Sequence, residues 1–574
     1  MKSFISTSTS SNYKSVLEQR GKLVTLLVIV ALFFWLHTIA NTKIIQFPAD
    51  PFYYIKMLSF TYWAGISVII IAFLIMVYYP VNRAKSLVEI SFIFVVALYI
   101  FGIPCFIYDN PRFLDVFGVA ELVKYLNNAG HLIGNVDYIA TYPVVVTFLS
   151  IISQINEMNP LDLGRYYPLF TSFLLLFFIY TFARKATLKY AVIAPAAYAT
   201  LGWSQSYHMS PANYGLLLTV VLLVLWMSLI NSNTTYGKVV IKVLVIIVLG
   251  VLIFAHALTP LINLITLLSL FALYSVVIHI PQIKRLYTLD GVSLRIQFIT
   301  GFITILSVAY LAYTFYNSYY VASRIVVWGE DIFSNIITGD LFVFVDRNVT
   351  TPTIAYEVVN NIRWLSIAIT MALSIFSISY LLFNHKYINW SITMAGFFIG
   401  YMGFSASLVI AGFSVFGAER GFIFGITPVV ILWTLVLADV IDSNNKSTVI
   451  ERKSNLTARN HWVKLYPIVL TAMIIFFVII SMLAIPITKY SSDPYAFVSQ
   501  SEMAGKLFVE GDLNLSRSLG YKYYGSDYMY NNYAYNLLEL KQQGGKQYRE
   551  GFTRNTLNGI YSSGDQCQIY IQVQ

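Results

Sequence analysis

Between Leu23 and Ala40 the chain carries no Asp, Glu, Lys or Arg, and apolar runs of similar length return along most of its length. About eighteen residues of helix span roughly 27 Å, close to the ~30 Å hydrocarbon core of a bilayer. A soluble fold has no use for so many such runs, because their backbones and side chains would need burial on every side. The rest of the composition agrees. Of the 574 residues, 57% are hydrophobic and 11% are charged, whereas a soluble domain carries about 25% charged residues. Mean hydropathy is +0.68. The expected fold class is an all-α polytopic membrane protein.

The net charge of +10 would suggest nucleic-acid binding in a soluble protein. Here the positive residues sit in short connections between apolar runs, where they set orientation, so no nucleic-acid partner is expected. Cys105 and Cys567 are too few and too far apart for a disulfide framework or a metal site. The polar start, residues 1–22, has no small-residue cleavage site after its first apolar run, which predicts a retained span preceded by a cytoplasmic tail.

The runs predict about thirteen transmembrane helices, N-terminus in and C-terminus out. They begin near Leu23, Phe60, Val88, Tyr166, Ala191, Tyr214, Val243, Leu261, Phe298, Trp364, Trp390, Phe422 and Tyr466. The transmembrane domain therefore covers 23–486, with long outer loops at 108–165 and 317–361 and a small extracytoplasmic domain at 487–574. Leu114 to Leu126 has helical apolar spacing and is expected to lie on the membrane surface. Pro143 to Ile155 is apolar but short for a crossing, and reads as an interfacial helix. Counting it as a span would put every later basic connection on the wrong side. The tail is rich in Tyr, Gly and Asn and shows no catalytic motif, and no internal repeat is visible along the chain.

Given that orientation, the unusual polar residues gather on the outer face: Asp109, Asp115, Glu121, His131, Arg165, His208, His256, Glu419 and Arg420. Ionisable groups at the ends of spans, away from basic inner anchors, point to a site. Outer loops are also simply where polar residues are allowed. Acid, base, arginine and aromatic residues at one depth suit the transfer of a sugar from a lipid phosphate. A carboxylate takes the acceptor's proton, and a cation stabilises the departing phosphate. Asp115 fits the first role; the alternative is an Asp that only favours the start of a helix. Arg420 fits the second through its bidentate fork; the alternative is a structural pair with Glu419. Asp109 is a second acid or a turn residue in Asp-Asn-Pro. His208 and His256 can bind sugar hydroxyls or phosphate, or can be polar helix ends. Soluble nucleotide-sugar chemistry and ATP-driven pumping find no motif here.

The stretches PRFLDVFGVAELVKYLNNAGH, IATYPVVV, WSQSYHMSP, FAHALTP and GAERGFIFGITP resemble the GT-C superfamily of membrane glycosyltransferases that use polyprenyl-phosphate sugars. Its members include protein O-mannosyltransferases, the aminoarabinose transferase of lipid A and oligosaccharyltransferase catalytic subunits. The resemblance covers about the first 440 residues. It implies a catalytic Asp in the first outer loop, which falls on Asp115. It also implies donor-phosphate binding near a late outer turn, which falls on Arg420 with His256. Substrate contacts are expected from Asp109, Glu121, His131, Tyr142, His208 and Glu419. The chain lacks the adjacent Asp-Glu pair of the mannosyltransferases and the DxD of oligosaccharyltransferases, which leaves a divalent cation open.

The implied activity is an inverting transferase of the plasma membrane, with a polyprenyl-phosphate (dolichyl phosphate) donor and a lipid, glycan or protein acceptor. Membrane lipids are its other partners. Two other readings compete. A transporter or flippase for lipid-linked sugars would favour repeated halves and charged or broken helices at the midplane. A surface-assembly protein would make the tail the working part. Asn348 and Asn514 stand in glycan-acceptor tripeptides.

Overall fold

The structure is a computed structural model. It describes residues 5–42, 52–78, 86–112, 114–132, 140–201, 208–232, 234–279, 292–339, 354–384, 387–411, 415–450 and 461–490, and three strands in the tail. Its helices, numbered here in chain order, are α1 Ile5–Asn41, α2 Tyr53–Met57, α3 Phe60–Tyr78, α4 Ser86–Ala97, α5 Ile103–Ile107 and α6 Leu114–Ala129. There follow α7 Pro143–Ile155, α8 Pro160–Ala186, α9 Ile193–Leu201, α10 Pro211–Asn231, α11 Thr235–Ala255 and α12 Thr259–His279. The last six are α13 Val292–Asn317, α14 Tyr319–Thr338, α15 Ile354–Phe383, α16 Ile388–Ile410, α17 Val415–Ile450 and α18 His461–Tyr490. In the tail, β1 Lys522–Gly525 and β2 Asn558–Ser562 both pair antiparallel with β3 Gln568–Gln572.

Among the described residues, 12 helices are long and apolar enough to cross a membrane. The local signals that start and stop the helices are ordinary. Proline opens α7, α8 and α10, where its missing N–H costs nothing. The Asn159 side chain caps α8 by accepting from Leu161 N at 3.0 Å. Gly339, at φ 79°, closes α14 in the left-handed conformation.

The expected crossing at about Ala191 to Ser206 is not among the 12. Its described helix, α9, has nine residues, all buried. The chain nevertheless passes from one end of the bundle to the other across this stretch. At one end Lys189 and Tyr190 bond to Asp442 of α17 at 3.1 and 3.2 Å. At the other, Met209 packs against Gly164, in the first turns of α8. The short helix is threaded through protein and not through lipid, so its length is not set by bilayer thickness.

The third span is wound in three pieces: α4, a wide π turn at Leu98–Gly102, and α5. Pro104 follows, where a regular ladder would lose a donor. Neighbouring α1 holds the irregular turn at two points. Trp35 Nε1 donates to Leu98 O at 3.1 Å, and Tyr99 Oη donates to Ala31 O at 2.7 Å.

The two ends of the bundle differ chemically. The end where α4 starts and α8 finishes carries Arg184, Lys185, Lys189, Lys242 and Arg295; Arg295 donates to Asn389 Oδ1 at 2.8 Å. There the buried Glu89 carboxylate accepts from Tyr180, beside Arg184. Removing the hydroxyl leaves the carboxylate short of a donor inside the membrane. Tyr180→Phe is therefore expected to lower stability by about 1–2 kcal/mol, read from denaturant unfolding of the full chain in detergent. The opposite end, at Tyr108, bears α6 and α7 as a pair of packed helices whose C-terminal parts meet. Asn127 of α6 accepts from Ser150 and Gln154 of α7 and donates to Ser153. The interfacial helix expected at Pro143 to Ile155 has those same bounds. The expected outer loop 317–361 contains all of α14 and the start of α15.

Candidate functional site

Helix α6 owes its placement to one apolar stripe. Val116, Val119, Ala120 and Val123, at helical spacing, are all buried. They share a cluster with Val145, Val146 and Leu149 of α7, Tyr167 of α8, Met209 and Ala255. This cluster fixes the neighbours of three expected site residues. Val116 adjoins Asp115, Met209 adjoins His208, and Ala255 adjoins His256. The approach is close: a Cβ on Gly164 would collide with Val116 Cγ1 and come within 3.4 Å of Met209 Cε. Gly164→Ala is therefore expected to push α6 outward. Limited proteolysis of the α6–α7 connection should then quicken while the other helices keep their protection.

Asp115 is the second residue of α6, in its first turn; its side chain lies outside the described residues. His256 ends α11. Thr259 N donates to its Nδ1 at 3.2 Å, and Thr259 Oγ1 stands 2.7 Å from the same nitrogen. Because Nδ1 accepts, the neutral ring carries its proton on Nε2, which is then a donor. A second small cluster begins one residue on, with Ala257, Tyr142 and Val321. Tyr310 of α13 donates to Ala257 O at 2.8 Å, and Tyr313 donates to Thr141 O. Tyr313 also packs edge-on against Tyr142 and Phe254, with centroids 6.0 and 4.7 Å apart. Burial pushes the Tyr142 phenol above its usual value, so it stays a hydroxyl at any ordinary pH. His208 is half-buried, and its carbonyl accepts from Asn213 at 2.6 Å at the head of α10.

Other expected site residues stand apart. His131 lies beyond the far end of α6, roughly 24 Å of helix from Leu114. It is exposed, donates from Nδ1 to Ala129 O at 2.9 Å and leans on Tyr125. Asp109 is exposed at the root of the loop, and Glu121 is half-buried on α6. Glu419 and Arg420 fall in the first turns of α17, at the same end of the bundle, with side chains outside the described residues. The next residue, Gly421, packs against Ser405 of α16. Among the described residues, no group of three His, Cys, Asp or Glu is placed to hold a metal ion.

A basic group at this end includes Arg165, already expected on the outer face, and three cations that were not named there: Arg112, Arg363 and Lys489. Arg165 donates to Cys105 O at 2.8 Å. The Arg112 guanidinium lies 5.6 Å from the Tyr108 ring centroid, and Lys489 Nζ lies 4.6 Å from that of Phe101. Arg363 donates to Thr488 O at 2.8 Å, and both Arg112 and Arg363 lie within electrostatic reach of Lys489. Its sequence signal was a basic residue at the end of a span where orientation predicts none, as at Arg363 and Lys489.

The helices and their connections define a multi-pass membrane protein whose candidate spans are all helical. No family model matches the chain, and no curated protein matches its sequence. Among solved structures it is similar to the archaeal oligosaccharyltransferase AglB from Archaeoglobus fulgidus, determined in complex with an inhibitory peptide and a dolichol-phosphate. Identity is 13% and the TM-score 0.47, over 82% of this chain and 62% of that one. This chain thus spans less than two thirds of that protein's length.

Proposed function

We propose that the chain is an inverting membrane glycosyltransferase that works at its Tyr108 end, on the outer face, with a polyprenyl-phosphate sugar as donor. The observation that carries this reading is the shared apolar cluster of α6, Met209 and Ala255, which gathers the chain positions of Asp115, His208 and His256 at one end of the bundle. The acceptor's oxygen or nitrogen attacks the anomeric carbon from the side opposite the phosphate. Its proton passes to the Asp115 carboxylate as the new bond forms. The bond from the anomeric carbon to the phosphate oxygen breaks, and the electron pair leaves with the polyprenyl phosphate. Arg420 receives that phosphate in its fork, and the His256 Nε2–H donates to an oxygen of the same group. The cations around Tyr108 make this end attractive to an anionic headgroup. Tyr142, Glu419 and His208 contact the sugar, and Glu121 and Asp109 line the approach of the acceptor; His131, beyond the far end of α6, takes no part in the transfer.

The test uses the full chain in lipid nanodiscs with a panel of polyprenyl-phosphate hexoses and pentoses and a membrane extract as acceptor. Acceptor-dependent release of polyprenyl phosphate, followed by mass spectrometry, is the expected result. Movement of intact donor between leaflets with no bond broken would overturn it in favour of a transporter.

A further inference from the structure

Away from the proposed transfer site, a groove of about 380 Å³ opens between α1, α4 and α8. Its lining is Val28, Ile29 and Leu32 of α1, Phe173 of α8, and the α4 face from Leu87 to Val95. It is apolar except for Ser91. Its lips are exposed: Leu87 is 77% accessible, Ile29 58% and Phe94 40%. Towards mid-membrane the groove is bounded by Phe94 edge-on against Phe173, with centroids 5.3 Å apart. It runs from there towards the end of the bundle where α4 begins.

The dimensions select the occupant. Leu87 to Val95 is about 12 Å of helix rise, close to the ~15 Å depth of one leaflet's hydrocarbon. A spanning partner helix would need an apolar groove through both leaflets, whereas this one ends at the Phe94–Phe173 pair. A groove confined to one leaflet suits a hydrocarbon chain. Charge selects the headgroup. Lys22 of α1 and Lys185 of α8 are both exposed at the end where the slot opens, and lysine stems extend along apolar surface to bring the ammonium to the interface. Among the described side chains, the carboxylate on α4, Glu89, is buried and turned inward onto Tyr180. We infer that this groove is a binding site for one acyl chain of an anionic phospholipid from the leaflet at the Lys185 end.

The full chain is reconstituted in nanodiscs of mixed zwitterionic and anionic phospholipid, extracted in mild detergent and washed. Retained lipid is then identified by native mass spectrometry. One phospholipid should remain per chain, enriched in anionic headgroups by about fivefold for each lysine near the surface. Ser91→Phe puts a ring into the slot and should reduce the retained lipid to background. Lys22→Glu with Lys185→Glu should keep a lipid but abolish the headgroup preference. Thermal unfolding of each variant establishes that it is folded, and Ser91→Ala, which leaves the slot open, should retain the lipid as the native chain does. Equal retention by folded Ser91→Phe overturns the assignment. So does recovery of a polyprenyl phosphate in place of a phospholipid, which would make the groove part of donor binding. Failure of the sugar-transfer test leaves these outcomes unchanged.

Discussion

Asp115→Asn is expected to remove one sugar from the glycans or glycolipids of cells that depend on this chain, while its polyprenyl-phosphate donor accumulates. The magnitude follows from the role. Losing a positioned general base costs about 10²–10⁴ in rate, enough to empty a steady-state glycan pool. The competing explanation, an Asp that only favours the start of α6, predicts something much smaller. Asp115 stands in the first turn of that helix. Loss of its charge there costs about 0.3–1 kcal/mol, which a domain of this size tolerates. Protein abundance and unfolding temperature should therefore match those of the native chain. An unchanged glycan profile with normal abundance would mean that Asp115 serves the helix and not the chemistry, and would move transport or surface assembly ahead.

Gly400→Ala is expected to prevent stable assembly of the bundle. A Cβ at Gly400 would lie 2.6 Å from Thr266 Cα and 3.1 Å from Thr266 Cβ. The obstacle is backbone of α12, so no side-chain rotation relieves it. Small residues at such crossings are what let membrane helices approach closely enough for dispersion contact. Here that contact also carries a buried hydrogen bond between Tyr274 Oη and Thr393 Oγ1, 2.7 Å long. Forcing a methyl group into a packed crossing typically costs 1–3 kcal/mol, occasionally more, and backbone contact puts this site at or above the top of that range. Gly403, one turn away on α16, is exposed with nothing within 4 Å of the equivalent position. Gly403→Ala should be neutral or slightly stabilising, because alanine favours helix. Thermal unfolding of both variants in detergent checks the pair. Equal unfolding temperatures would show that α12 and α16 separate at little cost.

Much of this architecture is legible in the sequence because bilayer thickness imposes one length scale on every lipid-facing helix. Pro143–Ile155 shows it well: the short apolar run is a 13-residue helix, shorter than any of the 12 candidate spans among the described residues. Where a segment faces protein the rule weakens, and α9 is the example, crossing the bundle with nine described helical residues. Helix α14 was hidden for a different reason. Glu330 and Asp331 interrupt any apolar run, yet Val321, Ile325, Trp328 and Ile332 repeat at helical spacing and pack inward. A periodicity reading would have found it where a run-length reading gave a loop. At the site, the His256–Thr259 bond is local and readable, three residues apart. The contact of Val116 with Gly164 and Met209 joins distant parts of the chain, and no local pattern announces it. The cations at Arg363 and Lys489 were passed over because orientation rules treat basic residues as markers of the other face.

The wide turn at Leu98–Gly102 has a mechanical consequence. Trp35 and Ala31, one turn apart on α1, hold it, and Leu32 and Val95, close to those bonds, line the apolar groove. Immediately above it, α5 leads into the loop that carries Asp115. A substitution that shifts Ala31 or Trp35 on α1 therefore acts on the wide turn itself, and through α5 on the root of the loop that carries Asp115.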